Sequence, residues 1–334
     1  YGADTLRFSL LSGIAPGGDT RFKKEKIESS RNFMNKLWNA SRFVLMNSEN
    51  AEIKPIEKVK KSSADKWILY KLNRVIKDVT KNLEKYELGL ALSKLYDFVW
   101  SDFCDWYIEL SKPVLYSDNQ NKKSDTVSIL NYILIQILKL MHPFTPFITE
   151  EIYQNLPSHT ESIMISSWPE VKSAFEKYKQ DADDFEDVKN IISKIRNIRA
   201  DMNVQNSKRT QIYLISNSEF IKNNSKYIEK LGYGSDVIFT DDKSALPEKS
   251  VSFATRLCEV FLPMGELVDF KLALEKLNKE LDNAENELKR AQAKLSNEGF
   301  VNKAPKTLLE AEKDKILKYN DLILKIKEQM KLYQ

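Results

Sequence analysis

Glycine and proline are both scarce, 9 and 10 in a chain of 334 residues, about 3% each against typical usages of roughly 7% and 5%. So little of either favours long helices. The glycines are also badly distributed for phosphate binding: Gly2, Gly13, Gly17 and Gly18 crowd the start, and Gly89 stands alone between Asp19 and Leu231. Loops that cradle phosphate with backbone N–H groups need clustered residues without a Cβ. Neither Gly-x-Gly-x-x-Gly nor Gly-x-x-x-x-Gly-Lys-Ser/Thr occurs, which excludes nucleotide enzymes built on those loops.

Cysteine and histidine are rarer still. Cys104, Cys258, His142 and His159 are too few and too scattered for a disulfide framework or a zinc site. No metal is expected, and a reducing, cytoplasmic setting fits best. No run of about 18 apolar residues is present, so no membrane-spanning helix is expected. The chain opens Tyr1-Gly2-Ala3-Asp4 with neither an initiator Met nor a signal-like region, as a piece of a longer protein would. No Ser/His/Asp, Cys/His or paired-carboxylate constellation is visible. The catalytic set is therefore read as none, with His142, before Pro143, fixing a loop.

What is present is helical periodicity, in a chain 42% hydrophobic and long enough for two or three cores. Leu6, Phe8, Leu10 and Leu11 precede a loop-like Ala15-Pro16-Gly17-Gly18-Asp19. Ile27, Phe33, Leu37, Ala40 and Val44 form one stripe of a helix over 26–46. Ile68, Leu72, Val75, Ile76, Val79 and Leu83 do the same over 64–83. Leu92, Leu95, Phe98, Val99, Phe103, Trp106, Tyr107 and Leu110 predict a central helix over 88–110 that stops before Pro113. Trp100, Trp106 and Tyr107 are read as core aromatics. A further helix over 124–141 breaks at His142-Pro143-Phe144-Thr145-Pro146, where Thr145 can cap and Pro146 can start the next.

The pattern then changes. An acidic stretch at 181–187 opens a helix through Val188, Ile191, Ile192, Ile195 and Ile198. Strand-like runs follow at 211–215, 237–240 and 251–262, with a helix predicted over 219–231. From Phe270 the spacing tightens to heptads: Leu274, Leu277, Leu281, Ala284, Leu288, Ala291 and Leu295. After Asn297-Glu298-Gly299-Phe300 a return seam runs through Leu309, Ile316, Tyr319, Ile323, Ile326, Met330 and Tyr333, with Glu312 as its polar intrusion. Arms of about 28 residues extend ~42 Å at 1.5 Å per residue. The fold class is mainly α: a helical bundle, a small α/β module and a C-terminal antiparallel coiled-coil hairpin.

Net charge is only +4, but it is concentrated. From Thr20 to Arg42, Arg21, Lys23, Lys24, Lys26, Arg31, Lys36 and Arg42 face only Glu25 and Glu28, a local balance of about +5. A basic helix is often no more than a solvated face. Here Asn32, Asn35, Lys36, Asn39, Arg42 and Phe43 share that face, and three asparagines are unexpected on helix propensity alone. Amides, cations and an aromatic ring together suit single-stranded RNA bases. The hairpin from Val268 onward is nearly balanced, roughly 14 cations to 12 anions, so Arg290 and Lys315 carry little signal by residue type.

Several of these segments resemble a known family. Tyr1-Gly2-Ala3-Asp4-Thr5-Leu6-Arg7-Phe8, Arg31-Asn32-Phe33-Met34-Asn35-Lys36-Leu37-Trp38-Asn39-Ala40, Phe103-Cys104-Asp105-Trp106-Tyr107, His142-Pro143-Phe144-Thr145-Pro146-Phe147 and Gly299-Phe300 through Lys303-Ala304-Pro305 are similar to the C-terminal third of bacterial valyl-tRNA synthetases. The first two motifs suit class I synthetases for aliphatic amino acids generally. The terminal hairpin separates the valyl family from isoleucyl enzymes, which usually end in a cysteine-rich zinc module.

The resemblance implies four parts: 1–25 ending the stem-contact region of the catalytic half, an anticodon-binding bundle at 26–180, an α/β linker module at 181–265 and a tRNA-binding arm at 266–334. It implies anticodon contact by Asn32, Asn35, Lys36, Asn39, Arg42 and Phe43, with Ile108 packing beneath a base, and contact of Arg290 and Lys315 with the tRNA elbow. Glu25 stands where some relatives carry a contacting Arg, so that contact is omitted. The ATP signatures His-Ile-Gly-His and Lys-Met-Ser-Lys-Ser are absent. No cofactor is expected here, ATP and Mg²⁺ belonging to a parent enzyme that joins valine to its tRNA. The expected partner is the tRNA for valine, with no membrane or DNA, and the expected state is a monomer. The alternative is a helical scaffold whose coiled coil binds another protein.

Overall fold

The structure, a computed structural model, describes residues 1–13, 23–49, 51–157, 159–247, 250–263, 270–296 and 306–331. The loop expected at 15–19, Arg21, the turn at 297–305 with Gly299 and Phe300, and Tyr333 lie outside the described residues. The chain is mainly helical with one small sheet, and it divides into two compact units, Tyr1–Glu186 and Asp187–Gln334.

In the first unit, α1 (Ala3–Leu11) and α2 (Lys24–Ser48) come first. The expected stripe on α2 is buried, with Phe33, Leu37 and Val44 fully covered. Next is α3 (Ser63–Glu84), opened by a capping box in which the Ser62 hydroxyl accepts from the Asp65 N–H and Asp65 accepts from the Ser62 N–H. The far oxygen of Asp65 takes the Tyr107 hydroxyl at 2.7 Å. Burial raises the Asp65 pKa against the pull of these hydrogen bonds.

The helix expected over 88–110 is composite. It comprises α4 (Leu88–Asp97), a π-helical stretch (Phe98–Tyr107) and α5 (Ile108–Leu115). It does not stop before Pro113. Proline costs a helix one N–H and crowds the carbonyl four residues back, but Pro113 falls in the last turn. The helix still closes two residues later, where the Tyr116 N–H reaches the Lys112 carbonyl at 3.0 Å. Trp100 and Trp106 are only partly covered, unlike Tyr107.

Then α6 (Gln120–Met141) buries Ile129, Leu130, Ile133, Leu134, Ile137 and Leu138 around its circumference, each worth roughly 1.5–3 kcal/mol of transfer free energy. After the corner comes α7 (Pro146–Gln154). Thr145 holds the N-cap position but does not cap; its hydroxyl turns back to the Met141 carbonyl at 3.2 Å. The cap comes from Asp4, whose carboxylate accepts the Ile148 N–H at 2.6 Å and the Phe147 N–H at 3.4 Å. A carboxylate at two N-terminal amides answers both the orphan donors and the helix dipole. Arg7 holds the other side of the corner, donating to the carbonyls of Phe144 and Pro143, both at 3.1 Å. The short α8 (Ser173–Glu176) and the start of α9 (Lys179–Asp201) complete the unit.

The second unit holds a four-stranded sheet ordered β2-β1-β4-β3. β1 (Thr210–Ile215) and β2 (Gly234–Phe239) are parallel and joined through α10 (Glu219–Leu231). A Cβ at Gly234 would fall 2.8 Å from the Ile212 Cδ1 and 3.3 Å from the Glu229 backbone, so a larger residue at that strand start would have to push the Ile212 side chain aside. The run expected at 251–262 is a hairpin, β3 (Ser250–Ala254) and β4 (Glu259–Pro263). Asp187 breaks it: its carboxylate accepts from the Thr255 hydroxyl, the Arg256 N–H and the Leu257 N–H.

The heptad segments are α11 (Phe270–Ser296) and α12 (Lys306–Lys331). Leu277, Ala284 and Ala291 are buried on α11, Ile323 and Ile326 on α12. Lys294–Glu312 at 3.1 Å and Lys327–Glu285 at 3.4 Å tie the two helices in antiparallel register.

Candidate nucleic-acid interface

The 3.6-residue turn of α2 that buries Phe33, Leu37 and Val44 necessarily puts Asn32, Asn35, Asn39 and Arg42 on the opposite side. All four are exposed. Trp38, 40% exposed, lies among them, a stacking surface not singled out by sequence. Lys36 and Phe43 lie along the edge of this face and are half-covered. Ile108, implied to pack beneath a base, is 7% exposed at the start of α5.

The edge residues are engaged by the protein itself. The Lys36 ammonium sits 2.5 Å from an Asp105 carboxylate oxygen and 3.7 Å from the centroid of the Trp100 ring. Trp100 in turn stacks on Tyr96, with centroids 5.6 Å apart. Beside Phe43, the Lys112 ammonium lies 5.9 Å from the ring centroid and 2.6 Å from Glu109. Sequence reading could not find Asp105, because 69 residues separate it from Lys36.

On the helix pair, Arg290 is exposed and ion-paired to Glu287 one turn away. Lys315 lies on the other helix, 2.9 Å from Glu312, which also receives Lys294. Glu312 is 3% exposed, and hydrogen bonds from Lys315 and Lys294 hold its carboxyl below the ordinary range. The polar intrusion in the seam is thus a carboxylate flanked by two lysines, of which sequence reading named one. Among the described residues no group of His, Cys, Asp and Glu could hold a metal ion, and no helix is long and apolar enough to cross a membrane.

Residues 65–214 match the family described as the anticodon-binding domain of tRNA ligase. Residues 269–332, the helix pair, match the valyl tRNA synthetase tRNA binding arm. Along its length the chain resembles valine–tRNA ligases. It is 43% identical over 336 residues to the valine–tRNA ligase of Clostridium acetobutylicum, covering 99% of this chain and 38% of that protein. For the valine–tRNA ligase of Clostridium perfringens the identity is 44% over 339 residues, with 100% and 38% covered. For Clostridium tetani it is 45% over 334 residues, with 99% and 38% covered. The chain therefore spans 38% of the length of these valyl-tRNA synthetases. Helix α2 precedes the anticodon-binding match and is related to them through the alignments that run the length of this chain.

Proposed function

We propose that this chain is the tRNA-recognition part of a valine–tRNA ligase. In this reading the outward face of α2, with Asn32, Asn35, Asn39, Arg42 and Phe43 and with Lys36 at its edge, meets the anticodon. Ile108 supports a base from below, and Arg290 and Lys315 meet the tRNA elbow. The four divisions at 1–25, 26–180, 181–265 and 266–334 are the corresponding working parts. The whole enzyme, a cytoplasmic monomer, would use ATP and Mg²⁺ to join valine to its tRNA. This part supplies orientation and binding energy and is inactive alone. The observation that carries the reading is the row of exposed amides and Arg42 on α2, in the unit that bears most of the anticodon-binding match.

The test is binding of the chain to tRNA with the valine anticodon and to the same tRNA with that anticodon altered. Arg42→Ala is expected to weaken the first several-fold while leaving the second nearly unchanged. Equal affinity for both tRNAs would sink the anticodon assignment. Arg290→Ala with Lys315→Ala is expected to weaken both tRNAs alike. RNA contacts also weaken with salt by about 0.7 to 0.9 log units per phosphate per log of salt. A coiled-coil protein partner, the alternative occupant of the arm, would not show that slope.

A further inference from the structure

The cations along the edge of the α2 face share one arrangement. Lys36 is held by Asp105 and lies over Trp100; Lys112 is held by Glu109 and lies near Phe43. Both carboxylates come from one short segment, 105–109, at the junction of the π-helical stretch and α5. Resting on the proposed RNA face, we propose that Asp105 is a specificity-determining residue: it withholds the Lys36 ammonium from phosphate, so that Lys36 stands at the edge of the anticodon face without adding sequence-independent affinity.

The argument follows from what each group can distinguish. A lysine is a compact charge that binds any phosphate, and phosphate contacts carry no base information. Each such contact raises the affinity of right and wrong RNAs equally, and specificity is the difference between them. The Asn32, Asn35 and Asn39 amides, by contrast, can pair with base edges. Asp105 takes the lysine charge at 2.5 Å, and Trp100 places it flat against a ring face at 3.7 Å, a cation–π geometry. The Asp105 side chain is itself 50% exposed, so its negative charge also discourages an RNA backbone from approaching Lys36. Asp105 acts through Lys36 and is a positioning residue.

The experiment measures binding of the whole chain to both tRNAs across a salt series, for the parent, Asp105→Asn, Asp105→Glu and Asp105→Asn with Lys36→Ala. Asp105→Asn is expected to release one phosphate-binding cation. The log–log salt slope should then steepen by about 0.7 to 0.9 on either tRNA, and the ratio of affinities for right and wrong anticodon should fall about threefold or more. Asp105→Glu, which keeps the charge, should retain the parent slope, and the added Lys36→Ala should remove the extra slope. Glu109→Gln gives an independent second variant expected to act in the same direction through Lys112. An unchanged slope in Asp105→Asn, or an extra slope that persists without Lys36, overturns the proposal. If the parent itself does not separate the two tRNAs, the anticodon reading fails. The slope comparison still decides whether Asp105 restrains Lys36.

Discussion

Removing the carboxylate of Asp4 leaves two amides of α7 without their acceptor. Asp4→Ala is expected to cost about 1–2 kcal/mol and to lower the midpoint of unfolding of the first unit by roughly 2–4 °C per kcal/mol. A thermal melt followed by tryptophan fluorescence measures it, and an unchanged midpoint would show that solvent caps α7 equally well. His142 supplies a pH dependence in the same corner. Its Nδ1 meets the Thr149 hydroxyl at 2.8 Å, while that hydroxyl donates to the Thr145 carbonyl at 2.8 Å. The neutral ring therefore donates, and burial holds its pKa below the usual 6.5. The unfolded chain takes up this proton first as pH falls, so the contribution is full above about pH 6.5 and fades on acidification below it. The midpoint should drop between pH 7.5 and 5.5 (roughly one unit either side of the ordinary histidine pKa) more steeply in the parent than in His142→Gln. At this scale the sequence was legible as far as the corner itself: His142-Pro143 marked a fixed loop and Pro146 a helix start. The capping residue was not, because Asp4 lies 144 residues from Ile148 and nothing local distinguishes it from Thr145.

Among elements, the long periodic ones were readable and the interrupted ones were not. Helices α2, α3, α9 and α10 form where their apolar stripes lie, since one buried face determines both phase and extent. The composite of α4, the π-helical stretch and α5 ran past Pro113 because a proline in the last turn forfeits little. The β3–β4 hairpin escaped notice because its break depends on Asp187, far away in sequence. The heptads were plain, but the consequence of Glu312 was not. Hydrogen bonds from Lys315 and Lys294 depress its pKa, so its contribution is present above the ordinary 4.5 and is lost as pH falls through the depressed value. The melting midpoint followed by far-UV circular dichroism should therefore fall on acidification in the parent more than in Glu312→Gln, the two converging in acid. Identical acid profiles would mean that the lysines contribute nothing to the pairing of α11 and α12.

For the whole molecule, the division at Glu186 and Asp187 predicts unfolding in more than one step, as chains with separate cores commonly show. All five tryptophans, Trp38, Trp67, Trp100, Trp106 and Trp168, precede that division. Tryptophan fluorescence therefore reports the first unit alone, and far-UV circular dichroism reports both. In urea the two signals are expected to give different midpoints; superimposable curves would mean that the units unfold together. The clamp of α1 on the 143–148 corner also has a meaning in time. During synthesis at roughly 5–20 residues per second, Asp4 leaves the ribosome roughly 7 to 29 s before Ile148 does, given their separation of 144 residues. Throughout that interval α1 can pack on α2, where Phe8 meets Phe33 with ring centroids 4.9 Å apart, but its clamp on the corner is missing. α1 is thus secured in two stages, first on α2 and only later by the corner, and a chaperone that shelters emerging segments has that interval in which to act.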